Sequence, residues 1–304
     1  MHQHSSSERQ GRLLKWSLAL TILFVAAELL AGLQAHSLAL LSDAGHNFTD
    51  ALALLLAALA VYFQAKPAND VKTYGYHRAG VLAAFINALT MLLLSAFIFY
   101  ESWERIQNPQ PVHEMTMMVV ASLGIVVNVL IMWWFRHDQE HDVNLRAAFL
   151  HMMGDALGSV GIVIGALLIR ATGWLIVDPV LSVLIGLLIV WSAWTIVKEC
   201  LNILLEGLPR GMKLESVIGA VRGVEGVRDV HDLHVWSLGS STHALSCHVQ
   251  IDDVPPSASE SILHCINDVL RRRFHIHHTT IQFEHASCAV SENGCSIPAH
   301  SHPH

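Results

Sequence analysis

The chain has 304 residues, 53% of them apolar and only 14% charged, with a mean hydropathy of +0.44. Soluble domains carry roughly 25% charged residues, so this composition excludes an ordinary cytosolic enzyme. A formal net charge of -7 with no basic stripe excludes a nucleic-acid-binding protein.

Crossing a hydrocarbon core of about 30 Å takes about 20 mostly apolar residues in a helix. Six such runs follow one another, at residues 16–33, 38–65, 80–103, 115–135, 145–169 and 176–205. Between Trp16 and Ala65 the only charges are Glu28, Asp43 and Asp50. The first run has basic residues before it but no small-residue cleavage site after it, so it is expected to stay in the mature chain as a span, behind a cytoplasmic tail at 1–15. Lys and Arg set the orientation. With the N-terminus inside, the cytoplasmic side holds Arg9, Arg12, Lys15, Lys66, Lys72, Arg78, Arg136, Arg146, Lys198, Arg210 and Lys213, against Arg105 and Arg170 outside. Both termini are therefore expected in the cytoplasm. All five cysteines lie at or beyond the inner end of the last span, where thiols stay reduced.

After residue 205 the pattern changes to that of a small folded domain, 206–286. Helical spacing covers 212–224, strand alternation covers 227–238 and 244–251, a second helix covers 258–274, and a last strand covers 279–283. This α-β-β-α-β order predicts a two-layer α+β domain, with a polar tail at 287–304.

Ionisable groups inside apolar spans are functional candidates by default. The second span carries His46 and Asp50, and the fifth carries His151 and Asp155, each pair four residues apart. Residues at that spacing share one helix face, so each helix presents an imidazole and a carboxylate at one level. One such pair also fits a hydrogen bond within its own helix. Two matching pairs instead predict a shared N2O2 site, the ligand number and type of tetrahedral Zn2+, with two carboxylates balancing the dication. Asp43 and Asn47 fall within about a turn of that site, as supporting groups. Glu28 fits either an aqueous cavity lining or a bond to a neighbouring helix. The sequence lacks a helical His-Glu-x-x-His, a Gly-x-Ser-x-Gly and a phosphate-binding loop, so transport is favoured over catalysis. No organic cofactor is implied.

The stretch Ser37 to Asp50, the loop Tyr74 to Ala79, Asn144 to Ser159, Asp178 to Ser182, Leu204 to Gly207 and Val230 to Trp236 together resemble the cation diffusion facilitator family, over residues 12–285. Within it the chain is most similar to bacterial zinc exporters and vertebrate vesicular zinc transporters. The resemblance implies a homodimer of six-span protomers with a ferredoxin-like cytoplasmic domain. It implies exchange of cytosolic Zn2+ for protons by alternating access, with His46, Asp50, His151 and Asp155 as the transport site. His rather than Asp at position 46 implies a preference for Zn2+, with Cd2+ as a softer second cargo. Arg78 and Glu206 match a charged pair that holds protomers together in relatives. Short loops point to a bacterial inner membrane.

Histidine is abundant, at 21, and 12 of these lie from His231 onward. His231, His248, His277 and Glu284 match zinc-binding positions in the resembling vesicular transporters and imply a regulatory cytoplasmic zinc site. Taken alone, His248 also fits an ordinary strand residue and His277 a turn residue. His234 is a candidate contributor or a structural residue. Cys288 and Cys295 are weaker candidates, because some relatives place a closely spaced cysteine pair in this tail. His77 is a candidate for an interface site with His277. The rival reading from another class is a membrane zinc sensor that does not transport.

Overall fold

The computed structural model describes residues 2–135, 143–239 and 242–285. The elements run α1 (His2–Ala35), α2 (Leu38–Gln64), α3 (Ala79–Gln107), α4 (Glu114–Phe135), α5 (Val143–Thr172), α6 (Val177–Leu204), α7 (Leu214–Arg222), β1 (Val227–Ser237), β2 (His243–Ile251), α8 (Pro256–Phe274) and β3 (Ile276–Glu284). The chain divides into two compact units. One holds residues up to Ala57 with Ile86–Val197, and the other holds Ala58–Phe85 with residues from Lys198 onward.

The first unit is built the opposite way to a soluble protein. Large apolar side chains such as Leu23, Leu93, Leu157, Leu188 and Trp191 are exposed, while Glu28, Asp43, Asn47, Asn128, Asp155, Ser159 and Asp178 are buried. That inversion is what a hydrocarbon solvent selects, because polar groups there must find partners inside the protein. Among the described residues, four helices are long and apolar enough to cross a membrane, within α3, α4, α5 and α6. The described apolar part of α1, Ala19–Ala35, is shorter, and the first half of α2 carries Asp43, His46, Asn47 and Asp50. Each of the six predicted runs coincides with one of the helices α1 to α6. Helix α1 also begins earlier than its apolar run, at His2.

Small residues let these helices approach. Ala35, Ala39, Ala121 and Ala166 pack with Leu40, Met117, Ile162 and Ile169 in one buried cluster. A Cβ on Gly124 would lie 2.9 Å from Phe24 Cζ and 3.1 Å from Ser159 Oγ, so α4 needs glycine there to meet α1 and α5. The turn into α2 is fixed from α6. Asp178, fully buried, accepts hydrogen bonds from Ser37 Oγ (2.6 Å), Leu38 N (2.8 Å) and Ala39 N (3.2 Å). It thereby satisfies amides that the first turn of α2 leaves free and places a negative charge at the positive end of that helix. Arg105 Nη1 lies 3.8 Å from the same carboxylate and also donates to the carbonyl of His36, whose φ of +50° makes the tight turn.

In the second unit, α7, β1, β2, α8 and β3 follow the predicted order. The sheet runs β1-β2-β3, with β1 and β2 antiparallel and β2 and β3 parallel, joined through α8. Leu245, Cys247, Val249 and Ile251 alternate along β2 and join Val230 and Val235 of β1 in one core with Val217, Val221, Ile266 and Leu270 of the helices. Burial pushes the Cys247 thiol up to about 12, leaving it inert as a nucleophile or ligand. The residues before α3 belong to the same unit. The Tyr74 ring meets the His278 ring at 5.1 Å, and Arg78 Nη2 lies 2.9 Å from Glu206 Oε1.

Candidate metal centres

Within the first unit, α2 and α5 bring the two His/Asp pairs face to face. His46 Nε2 is 3.7 Å from both Asp50 Oδ2 and Asp155 Oδ1. His151 Nε2 is 3.2 Å from Asp50 Oδ2 and 3.6 Å from Asp155 Oδ2. Each carboxylate therefore serves both imidazoles, one from its own helix and one from the other. Around a tetrahedral ion with bonds of about 2.0–2.1 Å, neighbouring ligand atoms lie about 3.4 Å apart, and these four separations bracket that value. The separations are also mostly too long for hydrogen bonds, and His46 Nδ1 has no hydrogen-bond partner among the described residues. Asp155 is buried, whereas His151 retains 41% side-chain exposure, so the quartet is open on the His151 side.

Two buried groups stand one turn away. Asn47 Nδ2 donates to Glu28 Oε2 at 3.3 Å, and Ser159 Oγ donates to Asp43 Oδ2 at 3.4 Å. Asp43 and Asn47 are thus tied to α5 and α1 rather than joining the quartet.

In the second unit, His231 and His248 sit opposite one another in the β1/β2 register, and Glu284 comes from the end of β3. His231 Nε2 is 3.2 Å from Glu284 Oε2, and His248 Nδ1 is 2.9 Å from Glu284 Oε1. One donor atom from each of the three lies within 4.8 Å of the others. His231 Nδ1 is buried with no hydrogen-bond partner among the described residues. An imidazole beside a carboxylate and a second imidazole suits a cation such as Zn2+.

The other candidates fall elsewhere. His277 lies near the start of β3, seven residues from Glu284, which along a strand is about 23 Å. It is exposed and forms no part of the trio; the single sequence run could not show that the two ends of β3 serve different places. His234 is 3.1 Å from Asp232 Oδ1, outside the trio. His77 is exposed in the loop before α3, where its carbonyl accepts from Gln64 Nε2. Cys288 and Cys295 lie outside the described residues. One near neighbour of the trio was missed from sequence. Asp232 takes a left-handed φ of +48° at the irregularity between His231 and His234, bringing its Oδ2 to 3.9 Å from His248 Nε2. The Asp next to His231 was visible, but the bulge that aims it was not.

Fold and composition define a multi-pass membrane protein with a polar interior and a small mixed-sheet domain beyond its last span. Residues 14–205 match the cation efflux transmembrane domain, and 209–286 match the cation efflux protein cytoplasmic domain. The zinc transporter ZitB of Pectobacterium atrosepticum is 40% identical over 303 residues, covering 99% of this chain and 93% of that protein. A cadmium, cobalt and zinc/H+-K+ antiporter of Bacillus subtilis is 38% identical over 286 residues, covering 93% of this chain and 91% of its own. The solved metal-bound C-terminal domain of the CzcD transporter from Cupriavidus metallidurans is 36% identical, covering 24% of this chain and 99% of its own, with a TM-score of 0.22. The chain belongs to the cation efflux, or cation diffusion facilitator, family.

Proposed function

We propose that this chain exports Zn2+ from the cytoplasm in exchange for protons, with His46, Asp50, His151 and Asp155 holding the ion in transit. The observation that carries this is the meeting of the two i, i+4 pairs, four nitrogen-to-oxygen distances of 3.2–3.7 Å between helices otherwise apolar. Efflux of divalent metal and zinc tolerance follow from the family and from relatives named as zinc transporters and antiporters. Cd2+ is the expected second cargo, since softer ligands such as imidazole accept it and a site with two nitrogens disfavours Mg2+ and Ca2+.

Proton exchange has a direct chemical basis. Imidazole and carboxylate must give up protons to bind metal, and imidazole, with a reference pKa near 6.5, competes for them close to neutrality. An ion released toward a more acidic compartment is therefore replaced by protons at the same lone pairs. The working form is a homodimer in the bacterial inner membrane with both termini in the cytoplasm, supported by the cytoplasmic domain match and the Lys/Arg asymmetry of the loops. Residues 16–205 form the transport domain and 206–286 the cytoplasmic domain. The trio His231, His248 and Glu284 serves as a regulatory zinc site; Asp232 lies alongside, and His277, His234 and His77 lie outside the trio.

The trio also favours a second reading, a zinc sensor whose spans do not transport. Vesicles containing the purified protein separate the two. Transport predicts Zn2+ accumulation that grows with an imposed proton gradient; a sensor predicts Zn2+ binding without accumulation.

A further inference from the structure

Glu28 is fully buried in α1, and the quartet does not use it. Asp43, 4% exposed, stands on α2 three residues before His46. The two carboxyl groups are in hydrogen-bonding contact with each other. Asn47 supplies one hydrogen bond to Glu28 and Ser159 one to Asp43, yet Glu28 Oε1 still has no donor among the described residues. Ionised carboxylates only accept hydrogen bonds, so two of them in contact have nothing to share. A single proton between them satisfies both and removes one of two like charges from a dry interior.

Among the described residues no Lys or Arg acts on the pair. The ionisable groups facing the pair are Asp155 from α5 and His46 from α2, with Asp50 and His151 behind them in the quartet. On α4, Gly124 approaches Ser159, the donor to Asp43, and the helix's acid, Glu114, is ten residues away from that glycine, about 15 Å along the axis. On α6, Asp178 is held by Ser37, Leu38 and Ala39.

We propose that Glu28 and Asp43 form a proton-binding site separate from the metal ligands, holding one proton that departs when a divalent ion enters the quartet one helical turn away. Asp43 is three residues from His46 and Ser159 four from Asp155, so the two sites are about 5.4 Å apart along the helices. When the metal arrives, the O–H bond of the pair breaks and the proton passes to water. The carboxylate left behind adds a negative charge beside the dication. By reciprocity, protonating the pair weakens metal binding. The inference rests on the export reading above and assigns one of the exchanged protons to residues that never touch the metal.

The test uses the full-length protein carrying His248→Ala, so that the quartet dominates binding, with Glu28→Gln or Asp43→Asn added. Zn2+ is titrated in weakly buffered solution with a pH indicator, and affinity is measured across pH. Each variant is expected to bind Zn2+ with the Co2+ visible spectrum of the quartet retained. Each should release about one proton fewer per ion, and its plot of log affinity against pH should be shallower by about one. An undiminished proton count in both variants overturns the proposal. So does loss of binding in both, because neutral amides of the same size should spare the quartet. If Asp155→Ala leaves Zn2+ binding unchanged in the same background, the export reading itself fails, a result distinct from either of these.

Discussion

The quartet in the helices and the trio on the sheet use the same two kinds of side chain in different surroundings. Helices α2 and α5 project their ligands between apolar walls, where Asp155 is buried. The trio lies on a sheet face, where Glu284 keeps 18% side-chain exposure and His248 31%. The first set of ligands is carried by two helices alone, whereas the second is carried by three hydrogen-bonded strands. On the proposed reading, similar ligands pass an ion on in one place and retain it in the other. Variants at the two sites should therefore fail in different ways.

Asp155→Ala tests this most severely. It removes the buried carboxylate shared by both imidazoles, and Zn2+ flux into vesicles should fall by more than about 100-fold, beyond the 10- to 100-fold of losing a supporting contact. If flux survives while binding at the trio is lost, the comparison is reversed. Glu284→Gln should act on the other side. Zn2+ affinity of the cytoplasmic site, read by equilibrium dialysis of the full chain, should fall roughly 10- to 100-fold. Flux at saturating Zn2+ should persist.

Smaller effects sharpen the account of the second unit. Arg78 and Glu206 form an ion pair with side chains 37% and 62% exposed. Exposed pairs contribute roughly 0.2–1 kcal/mol, so reversing either charge should weaken the unit by no more than that, and reversing both should restore it in a thermal melt. Cys247 and Cys265 are free, one buried and one exposed. Maleimide followed by mass spectrometry should label Cys265 and spare Cys247 until the domain unfolds. His243 is the mildest case. Burial, together with nearby His275 and His277, holds its imidazole below the ordinary range. The unfolded chain then binds the proton more readily than the folded one, so stability is lost as pH falls through the ordinary histidine range and retained above it. His243→Gln should flatten that loss, as measured by denaturant midpoints at pH 7.5 and 5.5.

The two sites were also unequally legible. His46 with Asp50 and His151 with Asp155 announce themselves because helical periodicity converts a spacing of four into a shared face. That the two helices face each other is a tertiary fact, suggested only by the repetition of the pattern. The strands of the cytoplasmic domain were readable from alternation, but its site depends on register across three strands. His231, His248 and Glu284 meet because β1, β2 and β3 align them; His277, on the same strand as Glu284, is carried to the other end. Asp232 depends on a backbone irregularity that composition does not reveal. Asp178 appeared as one member of a motif, and only the fold shows it capping α2.

The central claim is that the helical quartet carries metal across the membrane against protons. The direct measurement is Zn2+ uptake into vesicles containing the purified protein, with an imposed proton gradient of either sign, for the unaltered chain and for Asp155→Ala. The account predicts uptake that rises with the favourable gradient, falls with the reversed one, and is abolished by the substitution. Uptake indifferent to the gradient, or undiminished without Asp155, would contradict it.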